Sequence, residues 1–327
     1  MRVLIIKMSS MGDIIHTLPA LTDATKAVSN IQFDWVVEEG FTEIPKWHKQ
    51  VQKIIPIALR RWRKNICRGI QNGEIKQFYT QLRAQEYDFV LDAQGSIKSA
   101  ITTRLSRGCR LGMDKSSVRE SLAYLAYQRR FSVPWQQHAI KRIRQLFAEA
   151  LKYPLPETLP DYGINIRNVS QAKIELPKDY LIFIPNTSCS VKLWPNHSWS
   201  LLIEEITRQG VDVFIPWGNE NERKNANQLT SKNSLAHVLP YLSLNEMAAV
   251  LANAKAVVAV DTGLSHLSAA LGIPTIVLYG PTDPLLIGTI GSSQLHIKMA
   301  ENGNSIQDSD TTVLKKIIDN LQHFLTL

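Results

Sequence analysis

One stretch of sequence decides the fold: VVAVDTGLSHLSAALG at residues 257–272, followed by IPTIVLYG at residues 273–280. Both segments contain a short apolar run rich in β-branched residues, which is typical of buried strands. Between the two runs, Leu264, Leu267 and Leu271 recur at helical spacing. The stretch therefore predicts a strand, a helix and a second strand of one parallel sheet.

Polar residues gather where the first of these strands ends. Asp261, Thr262 and Gly263 lie at the helix start, where unpaired N–H groups and the helix dipole favour an anion. His266 adds a donor in the first turn, and the segment 280–284 (GPTDP) would emerge at the same sheet edge. The alternative is that Asp261 or Thr262 only caps a helix. We favour a phosphate site, because capping alone leaves the second segment unexplained.

Composition restricts the class of protein. The 327 residues leave room for two domains, and 44% hydrophobic with 20% charged residues is an ordinary globular composition. Three widely spaced cysteines without a Cys-x-x-Cys pair predict reduced thiols in the cytoplasm. No apolar run has the length of a signal peptide or a membrane span, which predicts a soluble protein. The formal charge of +8 favours nucleic acid, nucleotide phosphates or an acidic membrane as partner.

A second turn suited to an anion lies near the amino terminus. A strand pattern over residues 2–7 leads through Ser9, Ser10 and Gly12 to Asp13, where a helical pattern begins. Backbone N–H groups in this turn could hold a substrate oxygen or a phosphate. From local sequence alone, it is equally plausible that Asp13 merely caps the helix, with a contribution of about 1 kcal/mol.

A basic cluster follows at residues 60–64 (RRWRK), where Arg60, Arg61, Arg63 and Lys64 surround one tryptophan. The guanidinium fork binds phosphate and carboxylate groups through two parallel hydrogen bonds, so the cluster could hold a strongly anionic ligand. A solvated surface run and a nucleic-acid patch are the alternatives.

Strand and helix patterns alternate along both halves of the chain, as in Rossmann-like units. Prolines accumulate between residues 154 and 160, which predicts domains at 1–160 and 161–327. An amphipathic helix is predicted near the end, at 311–325. Neither Gly-x-Gly-x-x-Gly nor a P-loop occurs, so dehydrogenase and P-loop functions lack their usual signature. Two such halves suggest a cleft with a nucleotide on one side and a second substrate on the other.

At this point the sequence resembles a known family, the ADP-heptose lipopolysaccharide heptosyltransferases. It is most similar to the branch that adds the first heptose to the Kdo region of the inner core. The segments that carry the resemblance are SSMGD (9–13), HTLPAL (16–21), DWVVEEG (34–40), RRWRK (60–64), DAQG (92–95), Lys192 with Trp194, Pro195 and Trp199, DTGLSH (261–266) and GPTDP (280–284). They span nearly the whole chain.

The resemblance implies a GT-B fold, with two Rossmann-like α/β domains facing a central cleft and the final helix packing back toward the N-terminal domain. It implies inverting transfer of heptose from ADP-heptose, with no cofactor and no metal essential for catalysis. Asp13 would be the general base that takes the proton from a Kdo hydroxyl as it attacks the anomeric carbon. A carboxylate at a helix start is a weak base, so proton transfer would be concerted with attack.

The resemblance also implies a division of the remaining site residues. Donor-binding residues would hold the diphosphate (Thr187, Lys192, Thr262, Gly263, His266), the heptose hydroxyls (Asp261), the ribose (Glu222) and the adenine (Leu242). Independently of the resemblance, Lys192 has the reach to neutralise a diphosphate, and Glu222 follows a strand as ribose-binding carboxylates do. Acceptor-binding residues would pair with Kdo carboxylates and lipid A phosphates: Ser9, Ser10, Gly12, Arg60, Arg61, Arg63, Lys64, Arg119 and His138.

The expected partners are ADP-heptose, Kdo–lipid A and, by peripheral contact, the cytoplasmic face of the inner membrane; nucleic acid is not an expected partner. One alternative is a sister transferase of the same fold that adds a later heptose or another sugar. Two others are a non-catalytic nucleotide-sugar binder, which would keep its ADP affinity and lose nothing when Asp13 is changed, and a nucleic-acid binder whose affinity for DNA would fall steeply with salt.

Overall fold

A computed structural model describes residues 1–165, 174–299 and 306–326 of the chain. The chain forms two compact units, Met1–Asn168 and Val169–Leu327. The domain boundary expected at residue 160 stays a prediction. Each unit contains one six-stranded parallel sheet. The α/β architecture with two Rossmann-like sheets is as expected. The central cleft concerns the placement of the two units and stays a prediction.

The first sheet has the strand order β3-β2-β1-β4-β5-β6. Its strands are β1 (Arg2–Ile6), β2 (Gln32–Glu38), β3 (Val51–Ile57), β4 (Tyr87–Asp92), β5 (Gly108–Met113) and β6 (Arg129–Phe131). Its helices are α1 (Met11–Ile15), α2 (Leu18–Ala27), α3 (Glu43–Lys46), α4 (Leu59–Lys64), α5 (Ile66–Gln71), α6 (Glu74–Arg83), α7 (Ile97–Leu105) and α8 (Ala139–Leu151). The central strands are almost wholly buried, as expected for a parallel sheet covered on both faces.

The second sheet has the order β12-β11-β10-β7-β8-β9. Its strands are β7 (Tyr180–Ile184), β8 (Asp212–Ile215), β9 (Ala236–Val238), β10 (Ala256–Val260), β11 (Thr275–Tyr279) and β12 (Gln294–Lys298). Its helices are α9 (Asn196–Arg208), α10 (Glu220–Thr230), α11 (Leu244–Ala252), α12 (Gly263–Ala270), α13 (Pro284–Ile287) and α14 (Ile306–Thr326). The opening stretch forms β10, α12 and β11, with Val257 opposite Thr275 in parallel register, which confirms the prediction.

Strand order determines where ligands can bind. In chain order, both sheets follow the Rossmann arrangement 3-2-1-4-5-6, so the connections reverse direction between β1 and β4 and between β7 and β10. Ligands of such sheets bind beyond the carboxyl ends of the strands at this reversal. The turns after these four strands are therefore the places to look for a site.

The final helix packs on the second unit. Val313, Ile317 and Leu321 recur every fourth residue and enter the same buried cluster as Trp199 and Val258. Helix α14 thus covers α9 and β10. Its expected approach to the N-terminal domain stays a prediction.

The buried residue His48 packs against the segment around Gly163 and Ile164 in the first unit. His48 forms an isolated antiparallel bridge with Ile164, and its Nε2 lies 3.1 Å from Oγ1 of Thr22. Gly163 has a φ of +61°, and a Cβ there would lie 2.6 Å from the His48 ring. Burial lowers the pKa of His48 to about 4, although Asp161 opposes this shift. His48 is therefore neutral at physiological pH.

Candidate active site

Asp13 lies in the first turn of α1, at the end of the turn (residues 7–13) that follows β1 at the reversal point of the first sheet. Its Oδ2 accepts hydrogen bonds from the backbone N–H of Ser10 (3.0 Å) and from Ser10 Oγ (2.8 Å). Its Oδ1 lies 3.5 Å from Nζ of Lys7. Asp13 therefore does stabilise the helix start, as the N3 partner of the N-cap Ser10 in a capping box, but its carboxylate also forms an ion pair and remains partly exposed.

The turn after β4 contacts the turn that leads to Asp13 through Ala93 and Gln94. Nζ of Lys7, which is buried, donates to the carbonyl oxygen of Ala93 at 3.1 Å. Oε1 of Gln94 accepts from the N–H groups of Met8 (2.7 Å) and Ser9 (3.3 Å). These N–H groups, which the sequence suggested for a substrate oxygen, are thus bonded within the protein.

The electrostatic surroundings of Asp13 favour its charged form. Burial acts to raise the pKa of Asp13, but the Lys7 ammonium, the Ser10 N–H and Oγ donors and His16 together lower it well below its ordinary range. The carboxylate is therefore ionised throughout the physiological pH range. It can accept a proton, but it is a weak base until the hydroxyl it serves begins to react.

Two of the expected acceptor residues lie near this turn. The ring of His138 is 5.9 Å from that of His16, the histidine whose charge acts on Asp13. His138 also begins α8, where its Nδ1 accepts from the N–H of Ile140 at 3.1 Å. Arg119 is exposed, and its backbone nitrogen lies 3.2 Å from the position of a Cβ on Gly95, in the turn that follows β4.

The basic cluster forms α4, and its four cations are not equivalent. Arg61 binds both carboxylate oxygens of Glu39 at 3.0 Å and Glu74 at 2.6 Å. Trp62 is buried and donates from Nε1 to Glu74 at 2.9 Å. All four cations are exposed, but the charge of Arg61 is engaged by two carboxylates, which leaves Arg60, Arg63 and Lys64 as the better candidates to bind an anionic ligand.

Glu38, to which the sequence assigned no role, connects α4 to the Asp13 turn. Its N–H donates to the carbonyl of Met8 at 3.1 Å, and its Oε1 accepts from the N–H of Arg60 at 3.0 Å. Burial raises the pKa of Glu38, while the Arg60 N–H and charge act against this rise. Glu38 thus links the start of α4 to Met8, in the turn that leads to Asp13.

The reversal point of the second sheet carries a lysine–carboxylate pair. Nζ of Lys192 lies 2.6 Å from Oδ2 of Asp261, and Nε2 of His266 lies 3.9 Å from Oδ1. Oγ1 of Thr187 donates to the carbonyl oxygen of Asp261 at 3.2 Å. These residues come together because β7 and β10 are neighbours, which brings the turns after both strands to one edge.

The start of α12 completes this group. Thr262 is the N-cap, and Gly263 is the first residue of the helix. Gly280, at the end of β11, faces the loop that carries Lys192, and a Cβ there would lie 2.9 Å from the carbonyl oxygen of Val191. A side chain at residue 280 would therefore push this loop away, which gives the 280–284 segment a physical reason to begin with glycine.

Glu222 lies in the first turn of α10, the helix that follows β8, and Leu242 lies in the loop after β9. Both oxygens of Glu222 are engaged locally, Oε2 by the N–H of Gly218 and Oε1 by Nδ2 of Asn219, each at 2.7 Å. Leu242 is half-buried and immediately precedes the N-cap of α11. Sequence reasoning missed an aromatic pair nearby, Trp217 and Tyr241, whose ring centroids lie 5.4 Å apart. The signal that could have revealed it is a tryptophan directly after a buried strand.

The described ranges contain neither a cluster of metal-ligating side chains nor a membrane-spanning helix. No group of three or more His, Cys, Asp or Glu side chains there is arranged to hold a metal ion. No helix there is long and apolar enough to cross a bilayer.

The class of protein that this fold and these two reversal-point sites define is the GT-B glycosyltransferases. Within that class the assignment is specific, because the chain belongs to glycosyltransferase family 9 (heptosyltransferase), whose sequence model matches residues 75–318. The family, the fold class and the enzyme class expected from the sequence are confirmed.

Relatives and solved structures agree with this assignment. The chain is 51% identical to lipopolysaccharide heptosyltransferase 1 of Pseudomonas aeruginosa over 91% of this chain and 83% of that protein. It is 47% identical to lipopolysaccharide heptosyltransferase 1 of Escherichia coli K12, over 97% of this chain and 99% of that protein. The structure of E. coli heptosyltransferase WaaC with ADP superimposes with a TM-score of 0.90 at 45% identity, covering 98% of this chain and 99% of that chain. The same E. coli protein with ADP-2-deoxy-2-fluoro heptose gives a TM-score of 0.87 at 45% identity, covering 98% and 100% of the two chains.

Proposed function

We propose that this chain transfers L-glycero-D-manno-heptose from ADP-heptose to the Kdo region of Kdo–lipid A, with inversion at the anomeric carbon. The observation that carries the proposal is the similarity, over almost the whole chain, to enzymes named lipopolysaccharide heptosyltransferase 1. The reaction would contribute the first heptose of the lipopolysaccharide inner core.

Asp13 is the general base of the proposed reaction. A Kdo hydroxyl oxygen forms a bond to the anomeric carbon, while the bond from that carbon to the ADP oxygen breaks and its electron pair leaves with ADP. The hydroxyl proton passes to the Asp13 carboxylate, which is ionised beside Lys7. Because the hydroxyl becomes more acidic as its bond to carbon forms, a carboxylate of low pKa can accept the proton at that stage.

The Lys192 group serves the leaving diphosphate. The Lys192 ammonium, oriented by Asp261, neutralises the charge that develops on ADP, and the N–H groups at the start of α12 add donors. His266 and Thr187 complete the diphosphate contacts. Asp261 binds heptose hydroxyls, Glu222 the ribose and Leu242 the adenine. No metal is needed for this part of the proposal, because the cation is supplied by the protein.

The acceptor is held by cations of the first unit. Arg60, Arg63 and Lys64 pair with Kdo carboxylates and lipid A phosphates, and Arg61 holds α4 in place through its two carboxylate partners while adding its own charge. Arg119 and His138 bind the same sugar in this proposal, which is supported by the contact of Arg119 with the turn after β4 and by the 5.9 Å between the rings of His138 and His16. Ser9, Ser10 and Gly12 lie next to Asp13 in the sequence and contact the acceptor in this proposal.

Kdo–lipid A is a membrane lipid, so the enzyme must work at the cytoplasmic face of the inner membrane by peripheral contact. Under this proposal, the charge of +8 serves anionic sugars and lipids rather than nucleic acid.

The test is release of ADP from ADP-heptose, with and without Kdo–lipid A. Asp13→Asn keeps an oxygen for the Ser10 hydrogen bonds, so it should fold normally, bind ADP-heptose normally and lose about 10²- to 10⁴-fold in kcat. Asp114→Asn is the matched control, because Asp114 also caps a turn of the first unit, through Ser116 and Ser117.

Three results would contradict the proposal. The first is ADP release that does not depend on the acceptor, and the second is full activity of the Asp13→Asn variant. The third is activity only on an acceptor that already carries heptose, which would instead indicate a transferase for a later sugar.

A further inference from the structure

Helix α7 exposes an apolar face that the proposed chemistry does not use. Ile97, Ile101 and Leu105 recur every fourth residue on its outer side. A 3₁₀ segment (Ala123–Ala126) packs beside α7, and it contributes Leu125 and its N-cap Leu122. These five side chains, here called the α7 face, are between 38% and 63% exposed. The opposite side of α7 is buried against β4 and β1. A cluster of this kind on a globular protein marks an interaction surface.

Exposed cations are interspersed with these aliphatic side chains. Lys98 and Arg104 lie on α7 itself, and Arg119 lies three residues before Leu122, the N-cap of the 3₁₀ segment. Arg130 is held over the ring of Tyr124 at 4.8 Å and donates to its carbonyl oxygen at 3.1 Å. One carboxylate of this region, Glu120, accepts from the N–H of Ile97 at 2.9 Å and so serves the helix start. The local charge is therefore positive.

We propose that the α7 face binds an anionic lipid surface. Aliphatic side chains that enter the headgroup boundary, surrounded by lysine and arginine, are the combination that holds a protein on an acidic bilayer. A second copy of the chain fits less well, because an isologous contact would bring Lys98 and Arg104 close to their own equivalents. Charge complementarity thus selects the lipid.

The position of the α7 face relative to Asp13 gives this contact a purpose, and here the inference rests on the proposed function. Helix α7 begins at its N-cap Ser96, directly after the turn in which Gln94 holds the N–H groups of Met8 and Ser9. A bilayer that contacts α7 would therefore lie beside the turn that carries Asp13. A lipid-anchored acceptor could reach that turn without leaving the membrane.

The experiment compares cosedimentation with vesicles of phosphatidylcholine alone and of phosphatidylcholine mixed with phosphatidylglycerol. The wild type should prefer the anionic vesicles, and Ile101→Ser combined with Leu122→Ser should lower its partition coefficient about tenfold or more. Lys98→Gln with Arg104→Gln should remove the preference for phosphatidylglycerol. A matched control is Ile66→Ser with Ile70→Ser, which removes equally exposed isoleucines from α5.

Four outcomes would overturn the inference. They are equal binding of wild type to both vesicles, unchanged binding of the α7 variants, loss of binding in the α5 variant instead, and a wild-type dimer that Ile101→Ser dissociates in sedimentation equilibrium. Activity on a deacylated, soluble Kdo acceptor separates this inference from the proposed function. The Ile101→Ser, Leu122→Ser variant should retain that activity, whereas a wild type that binds vesicles through α7 but transfers no heptose would refute only the proposed function.

Discussion

The ion pair between Lys192 and Asp261 should contribute both to the stability of the second unit and to the affinity for ADP, and replacing Lys192 with methionine tests both contributions. Methionine keeps most of the side-chain volume but removes the ammonium that lies 2.6 Å from Asp261. The Asp261 carboxylate, which is buried, then loses its charged partner. We therefore expect both a less stable second unit and a weaker affinity for ADP.

The two magnitudes follow from different contacts. Removing one partner of a buried pair costs about 3–5 kcal/mol, and since Lys192 itself is partly exposed, a loss of about 2–3 kcal/mol in the free energy of unfolding is expected. Loss of one charge-assisted contact to the diphosphate costs about 2 kcal/mol, which is about 30-fold in Kd for ADP. The double variant Lys192→Met, Asp261→Asn no longer buries an unpaired charge. Its stability should recover, but its ADP affinity should not.

Urea unfolding and calorimetric titration with ADP measure the two quantities on the same samples, and Lys192→Arg serves as the control that keeps the charge. If the double variant is no more stable than Lys192→Met, the ion pair is not the source of the stability loss. If Lys192→Met binds ADP as the wild type does, Lys192 does not contact the diphosphate, and the donor site proposed around it is wrong.

Three further predictions concern the first unit. The pKa of His48 is about 4 in the folded chain and about 6.5 in the unfolded chain, so the unfolded chain binds more protons between these pH values. The free energy of unfolding, measured with urea, should therefore fall by about 2 kcal/mol from pH 7 to pH 5, and the His48→Gln variant should not show this fall. Arg144→Met leaves the carboxylate of Asp23 buried without its bidentate partner, so the free energy of unfolding should fall by about 3–5 kcal/mol. Adding Asp23→Leu in the same chain should restore most of this loss, and an unchanged melting temperature of the Arg144→Met variant would contradict the prediction. Glu74→Gln weakens one of the two carboxylate contacts of Arg61 and should raise KM for Kdo–lipid A several-fold in steady-state assays. The kcat and the affinity for ADP-heptose should stay unchanged, and an altered ADP-heptose affinity would show that the effect is not confined to α4.

Apolar runs in the sequence mark the central strands, whereas strands toward the sheet edges lack this signal. The runs that form β1, β2, β4, β7 and β10 are apolar because those strands are buried on both faces. The edge strand β3 contains Gln52, Lys53 and Pro56, and the edge strand β6 begins with Arg129 and Arg130. One side of an edge strand is not paired with another strand, so it tolerates charge and proline and loses the apolar signal.

The candidate sites divide in the same way. The turns at Asp13 and Asp261 were predictable because each is a short polar segment after an apolar run. The contact between Lys192 and Asp261 was not predictable from spacing, since it joins turns after β7 and β10 and depends on these strands being neighbours. The support that Gln94 gives to the Asp13 turn depends in the same way on β1 lying beside β4. Strand order, which is a property of the whole sheet, supplies both pairings.

The two lysine–carboxylate pairs are built in opposite senses, and this difference matches the chemistry proposed for each. Lys7 is 7% exposed and Asp13 36%, whereas Lys192 is 24% exposed and Asp261 5%. A buried cation beneath an accessible carboxylate presents a negative oxygen, with its pKa held low, to a hydroxyl that must lose a proton. A buried carboxylate beneath an accessible ammonium presents a positive charge to a diphosphate that must leave. In the proposed reaction, two sheets of the same topology would supply the base and the leaving-group site, because the carboxylate is the more exposed partner in one pair and the ammonium in the other.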